Sequence, residues 1–416
     1  MPTRRSHAKS RHGCLACKTR KVKCDEVRPQ CSNCVKRQVD CEYASIGPIL
    51  WTNGASSTAA RSSTASLASS QQSDRTTSAE NGLRIFENLS TESSASMPAS
   101  KELNLDDLEL MMQWCNSTYQ TSSRDEKTDH IWRVRVPEEA LSYPFLMHGI
   151  LALSALHLAR TSSDPQKRSN YLNSAISHQD QGLAEYRGRL NDINAANWRA
   201  MFVFSTIVTV YAFGYPHPPE WEDPWTPVDD LRQVLLLTRG VQVVLSTTIP
   251  WVERSEFAII LQIDDQVHPV PDAVQAALDR LSEMNDICAQ QQMEHHDHEA
   301  CAIAIEQLGV MFGEFEKEAP SLKNIAARWA IKVAGRYFDC LQARSPLALV
   351  ILAHYCLILH RLREFWWAEG WSTRVLRAIW VLVDDRWRQL MSWVMEEVFG
   401  PGFSDIIATS GAAIQT

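Results

Sequence analysis

The chain has 416 residues, enough for two or three domains at roughly 150 residues each. Hydrophobic residues make up 45% and charged residues 22%, ordinary for a soluble globular protein with a real core. The longest apolar runs, 202–213 and 347–359, fall short of the roughly 20 residues a membrane helix needs, and the basic stretch 1–11 leads into no apolar segment. Neither a membrane span nor a secretory signal is expected, so disulfides are not the expected fate of the eleven cysteines. The net charge of -8 hides a split: residues 1–43 hold eleven Lys/Arg against four Asp/Glu, a balance of +7, which leaves -15 for the remainder. Such asymmetry suggests a basic head for a polyanion and an acidic body for something else.

The head, residues 1–43, carries Cys14, Cys17, Cys24, Cys31, Cys34 and Cys41 in the spacing C-x2-C-x6-C-x6-C-x2-C-x6-C. Two C-x-x-C pairs, each followed by one Cys after six residues, make two similar halves. A C-x-x-C step lets two thiolates grip one metal across a single turn. Zinc is the natural occupant, being redox-inert and suited to closed, all-sulfur tetrahedral sites. Two tetrahedral ions need eight sulfur bonds, and six thiolates supply eight only if two of them bridge. Pseudo-symmetry makes Cys14 and Cys31 the natural bridges. One ion would then hold Cys14, Cys17, Cys24 and Cys31, and the other Cys31, Cys34, Cys41 and Cys14. Two Zn2+ and six thiolates sum to a small negative charge that leaves the head positive. Some forty residues cannot bury enough surface to fold alone, so metal binding is expected to supply the folding energy. A disulfide framework would want an oxidising compartment, a single-zinc ribbon would leave two cysteines spare, and a RING-type cross-brace wants eight ligands.

Between Cys17 and Cys24 runs Lys18-Thr19-Arg20-Lys21-Val22-Lys23, with four cations in six positions. On a short helix held by metal, such cations match a major groove, where Lys or Arg donates to guanine O6 and N7. Cations that miss base edges contact phosphates and make affinity salt-dependent. A basic run is often only a solvated face, but a place between metal ligands argues against that here.

With Pro29 two residues before Cys31, this spacing and the 18–23 run resemble the fungal binuclear zinc-cluster transcription factors. The flanks Arg5-Ser6-His7, Lys9-Ser10-Arg11 and Lys23-Cys24-Asp25-Glu26 are similar to those of the sterol-uptake control subgroup. The resemblance implies two Zn2+ per chain, with Cys14 and Cys31 in the bridging places. It implies that Lys21 reads a CGG-type triplet, while Lys18, Arg20 and Lys23 take base-flanking and phosphate-contacting places. Pro29 would turn the chain between the halves, and Arg4, Arg5, Lys9 and Arg11 would add phosphate contacts or a nuclear import signal. Many members follow the cluster with a heptad coiled coil. Residues 42–48 start no heptads, so a homodimer is expected to need contacts from elsewhere.

Residues 44–100 form a Ser/Thr/Ala/Gln tract with too little apolar content to offset the entropy of ordering it, and a disordered tether is expected. Leu83, Ile85, Phe86 and Leu89 interrupt it as a less polar patch. Residues 101–416 show helical periodicity. Leu103, Leu105, Leu108, Met111, Met112 and Cys115 share one helix face, and Phe145 to Leu158 is dense enough for a helix buried on most sides. Helical stretches are also predicted over 171–190, 198–213, 325–341, 346–362 and 374–398, with Pro144 and Pro346 in first turns. No period-2 strand series, Gly-rich phosphate loop or internal repeat is present, so the body reads as an all-α domain. It loosely resembles the helical fungal-specific transcription factor domain through 145–158, His178-Gln179, Arg239-Gly240-Val241, His354-Tyr355, His360-Arg361 and Trp366-Trp367. This implies a regulatory role, with co-regulators or the transcription machinery as partners and a small-molecule ligand of the helical domain as a further expectation.

Catalytic signals are weak. Trp380, Trp387 and Trp393 read as core packing, His295, His296 and His298 as a solvated patch, His354 and His360 as satisfied core or edge histidines. The scattered Cys115, Cys288, Cys301, Cys340 and Cys356 read as small buried hydrophobes. The favoured function is therefore a nuclear, zinc-dependent regulator of RNA polymerase II transcription, acting on a fungal biosynthetic gene cluster or sterol-related genes. An enzyme delivered to nucleic acid by its head, and a co-regulator binding protein or RNA, are the competing readings.

Overall fold

The computed structural model describes residues 16–17, 20, 22, 24, 31–37, 39, 104–218, 220–261, 268–315 and 325–403. The 44–100 tract and its 83–89 patch lie outside the described residues. Every regular element among those described is a helix, which agrees with the all-α reading. No single helix is long and apolar enough to cross a membrane.

In the head, α1 is the single turn Ser32–Val35. The body begins with α2, Leu105–Asn116, which buries Leu110 and Trp114. The Trp114 indole donates to Trp132 O at 2.9 Å and so ties this helix to the short turns that follow, α3 (Glu126–His130) and α4 (Val136–Ala140). Then α5 (Pro144–Thr161) starts on Pro144, whose missing amide would have had no helical partner anyway. Helix α6, Pro165–Arg189, starts six residues before the predicted periodicity. Asp164 caps it, accepting from Gln166 N at 2.8 Å and Lys167 N at 3.3 Å, so cap chemistry rather than apolar spacing sets the boundary.

Two long helices follow, α7 (Trp198–Gly214) and α8 (Trp225–Val252), and both run through two hydrophobic cores. One core gathers Trp114, Trp132, Phe145, Leu153, Phe202, Phe204 and Val244. The other gathers Phe213, Leu231, Leu235, Trp329, Tyr337, Tyr355 and Trp387. Short α9 (Ala258–Leu261) leads to α10 (Asp272–Gln290) and α11 (His298–Glu314), two helices beyond those the periodicity predicts, as is α8. The C-terminal layers are α12 (Ile325–Lys332), α13 (Gly335–Gln342), α14 (Pro346–Arg361), α15 (Trp371–Leu382) and α16 (Asp385–Phe399). Two predicted helices are thus corrected. The stretch 325–341 breaks after Lys332, where Arg239 donates to Val333 O across the fold. The stretch 374–398 starts earlier, at Trp371, and breaks at Val383–Asp384, where Asp384 caps the amides of Arg386 and Trp387.

Trp387 is buried and Trp380 and Trp393 pack against the same core, in line with a packing role. Cys288, Cys301, Cys340 and Cys356 are buried and Cys115 half-buried, as small hydrophobes should be. His295 is exposed and pairs with Glu294, and His298 bonds Asp286 at 2.7 Å, whereas His296 is half-buried and departs from the solvated reading. His354 departs from expectation. It is buried on α14, Nδ1 donates to Val350 O at 2.9 Å, and Nε2 finds no partner among the described residues.

Gly182 lets α5, α6 and α7 meet closely: a Cβ there would stand 2.9 Å from Phe204 Cε2 and 3.0 Å from Phe145 O. Gly182→Ala should therefore destabilise the body by about 1–3 kcal/mol, read as a lowered urea midpoint. Burial, helped by the Arg280 charge and opposed by the hydrogen bond to Val350, pushes the His354 imidazole down to about 4. The folded state holds this ring neutral, so its contribution is complete above about pH 6.5 and is lost as pH falls toward 4, at up to about 1.4 kcal/mol per pH unit. His354→Phe should make the pH dependence of stability between 6.5 and 4 shallower by about one proton, and an unchanged slope would contradict this.

Candidate metal centre and nucleic-acid interface

Among its described residues the six-cysteine segment shows no ordinary apolar core. Its buried cluster among the described residues is Cys17, Cys24, Cys31 and Cys34, with Ala16 packed alongside. The valines that could have made a core face out: Val22, Val35 and Val39 are 42%, 55% and 41% exposed. Apolar burial therefore contributes little here.

The sulfurs converge instead. The Sγ atoms of Cys17, Cys24 and Cys31 all lie within 4.8 Å of one another, and Cys17 and Cys31 are 3.7 Å apart. A disulfide would need about 2.05 Å, so these two are not cross-linked. Two sulfurs at about 2.3 Å from one tetrahedral zinc would stand about 3.8 Å apart, so the spacing fits shared coordination. These three are among the four thiolates that sequence counting gave to the first zinc. The fourth, Cys14, and the second ion's Cys41 lie outside the described residues.

Local backbone explains how the thiols come together. Cys31 is the N-cap of α1 and offers no side-chain cap, since its sulfur points into the cluster. The amides of Cys34 and Val35 both reach Cys31 O at 3.0 Å, which closes the C-x-x-C turn. The two halves repeat at an offset of seventeen residues, and the repeat is visible in hydrogen bonds. Val22 N donates to Cys17 O at 3.1 Å, and Val39 N donates to Cys34 O at 3.2 Å, the same five-residue loop in each half.

Of the predicted DNA-contacting residues, Arg20 is described: it is half-buried, and its amide donates to Ala16 O at 3.3 Å. Lys18, Lys21, Lys23 and Pro29 lie outside the described residues. The repeat reveals two cations that sequence reasoning passed over. Lys36 and Arg37 follow α1 and are exposed, at the positions equivalent to Thr19 and Arg20 of the first half. The seventeen-residue offset was the available signal.

Comparison with known proteins gives the same picture. Residues 12–46 match the fungal Zn(2)-Cys(6) binuclear cluster domain. The chain is 26% identical to a Zn(2)-C6 fungal-type transcription factor of Gibberella zeae, over 94% of this chain and 86% of that protein. It is 28% identical to the Zn(2)-C6 fungal-type transcription factor afumD of Aspergillus fumigatus, over 52% of each. A 40-residue match at 60% identity to sterol uptake control protein 2 of Candida albicans covers 10% of this chain and 6% of that protein.

A domain of this kind binds two zinc ions, and the described sulfurs suit that role. Elemental analysis of the reduced chain should return two zincs, and stripping them with a chelator should unfold the head while leaving the helical signal of the body. One metal or fewer per chain would contradict the shared-thiolate scheme.

Proposed function

We propose a specific role for this chain, which belongs to the fungal Zn(2)-C6 transcription factors and is a DNA-binding regulator of transcription rather than an enzyme: it reads a CGG-like triplet in double-stranded DNA and controls RNA polymerase II promoters in the nucleus. The observation that carries this reading is the convergence of Cys17, Cys24 and Cys31, because Cys17 and Cys24 bracket the basic run 18–23. Fixing both ends of that run fixes where its cations point.

In this reading Cys14, Cys17, Cys24, Cys31, Cys34 and Cys41 are the ligands of two ions, with Cys14 and Cys31 shared. Lys21 donates to guanine in the major groove, and Lys18, Arg20 and Lys23 contact flanking bases and phosphates. The domain boundaries are 1–43 for the head, 44–100 for the tether and 101–416 for the regulatory body. The body meets co-regulators or the transcription machinery. Similarity of the head to a sterol uptake control protein supports sterol-related genes as targets, with a fungal biosynthetic gene cluster the other reading. A homodimer would assemble through the body.

The test is a binding series on the full chain. Lys21→Ala should weaken binding to a selected CGG-containing duplex by about 1–3 kcal/mol while zinc content stays the same. Lys23→Ala should weaken binding to all duplexes alike and lower the salt slope by about one. Equal competition by unrelated RNA would sink the duplex-reading assignment.

A further inference from the structure

The body holds a polar site that DNA reading does not use. A cavity of about 320 Å3 opens where the end of α5, the loop after α7 and the first turn of α15 come together. Arg160, His217, Arg374 and Arg377 line it, with Trp221 and Trp371. Each of the first four carries a buried side-chain nitrogen without a hydrogen-bond partner among the described residues: Arg160 Nε, His217 Nε2, Arg374 Nη1 and Arg377 Nε. A buried donor left unanswered costs about 1–3 kcal/mol, and more when charged. The most buried of these groups is Arg374, and its unanswered Nη1 beside this cavity points to an anionic partner.

The groups are held in place by their other contacts. Arg374, whose side chain is only 8% exposed, donates Nη2 to Asp230 Oδ2 at 2.8 Å and Nε to Pro218 O at 3.2 Å. His217 Nδ1 stands 3.3 Å from the same carboxylate oxygen. Arg160 donates to Glu369 Oε2 at 2.9 Å. Burial raises the Asp230 pKa, but the hydrogen bonds and charges of His217 and Arg374 outweigh it and hold this carboxyl below its ordinary range, so it is ionised. Helix α15 adds its own field. Its N-cap is Gly370 at φ 85°, which has no side chain to cap the helix, and Gly370, Trp371 and Thr373 all line the cavity. Uncapped first-turn amides and the positive end of the helix dipole favour an anion there.

Charge and shape narrow the class. Three guanidinium groups face two carboxylates, Asp230 and Glu369, and His217 adds a further charge when protonated, so the site is net positive. A planar carboxylate matches the two parallel donors of a guanidinium fork, which a tetrahedral phosphate does less closely in a site flanked by indole rings. The Trp371 ring is buried against Phe213 and His217, and the half-buried Trp221 offers the cavity its apolar side. The volume lies in the range of small-ligand pockets.

We propose that this cavity binds a small carboxylate on a flat apolar body, with the carboxylate answering Arg374 and Arg377 on α15 and the ring lying against Trp221. The site is independent of the zinc head and of the DNA sequence it reads.

The full-length, zinc-loaded chain is titrated calorimetrically with benzoate, indole-3-acetate and 2-naphthoate, and with 2-naphthamide and inorganic phosphate as controls. At least one carboxylate should saturate a single site, with the amide and phosphate about tenfold weaker or worse. Arg377 rests on the Phe399 ring and holds no ion pair among the described residues, so Arg377→Gln should keep the fold and lose about tenfold in carboxylate affinity. Arg374→Gln would strand Asp230 and is the poorer variant. Binding by none of the three acids, equal binding of naphthoate and naphthamide, or unchanged affinity in Arg377→Gln would each overturn the proposal. If the variant melts early, the acid–amide comparison on the unaltered chain decides.

Discussion

Metal–sulfur bonding is the constraint on which the head rests. Among the described residues its buried cluster is made of thiols, and Val22, Val35 and Val39 lie on the outside. A segment this short, with these valines exposed, has no hydrophobic term large enough to offset the entropy of ordering it. Zinc coordination supplies both the missing free energy and the geometry, since tetrahedral bond angles fix where each C-x-x-C turn sits. The repeated five-residue loop, Val22 to Cys17 and Val39 to Cys34, shows that the same local solution is used twice. With sulfur inside, the described Lys36 and Arg37 stay exposed. That is an efficient way to present cations on few residues.

The body solves the opposite problem. It has ample apolar surface, and α14 is buried almost all round from Leu347 to Leu359. Helices α7 and α8 feed both cores, so the two halves of the domain cannot repack independently. In such an interior, polar groups are costly unless partnered. The unpartnered His354 Nε2 and the arginines around the α15 cavity stand out for that reason. They differ in kind. His354 can stay neutral by giving up its proton, as its depressed pKa indicates. Guanidinium groups do not lose theirs at any ordinary pH, so their need is for an anion.

Much of this was legible in the chain. Cysteine spacing is a direct statement about metal ligation, and it gave the sulfur set that the structure draws together as far as Cys17, Cys24 and Cys31. Dense apolar runs marked α5, α7 and α14, because a buried helix leaves little room for polar residues. The failures have a common cause. The break after Lys332 is held by Arg239, some ninety residues away in sequence, and no local pattern encodes that bond. Helices α10 and α11 carry charged residues among their apolar positions, so their faces are clear only once a neighbour shows which side is buried. The start of α6 followed Asp164 rather than the apolar stripe, a signal available in the sequence but weaker than periodicity. The arginine cavity was hidden for the deepest reason: Arg160, His217 and Arg374 come from three distant elements, and only folding makes them one site.

The charge division now takes on a physical meaning. Affinity for any duplex rises with each phosphate neutralised, so a uniformly basic factor would bind non-specific DNA tightly and lose time there. Here the head carries +7 and the remainder -15. The acidic part gains nothing from phosphates and is repelled by them, at least within the screening length of about 8 Å at physiological salt. Non-specific affinity is therefore limited to what one small module can neutralise. Any preference among duplexes would then have to come from base-edge contacts rather than from the charge balance. Because that repulsion does not depend on base sequence, it weakens right and wrong sites alike, and so sets overall affinity and its salt dependence rather than the preference among sites.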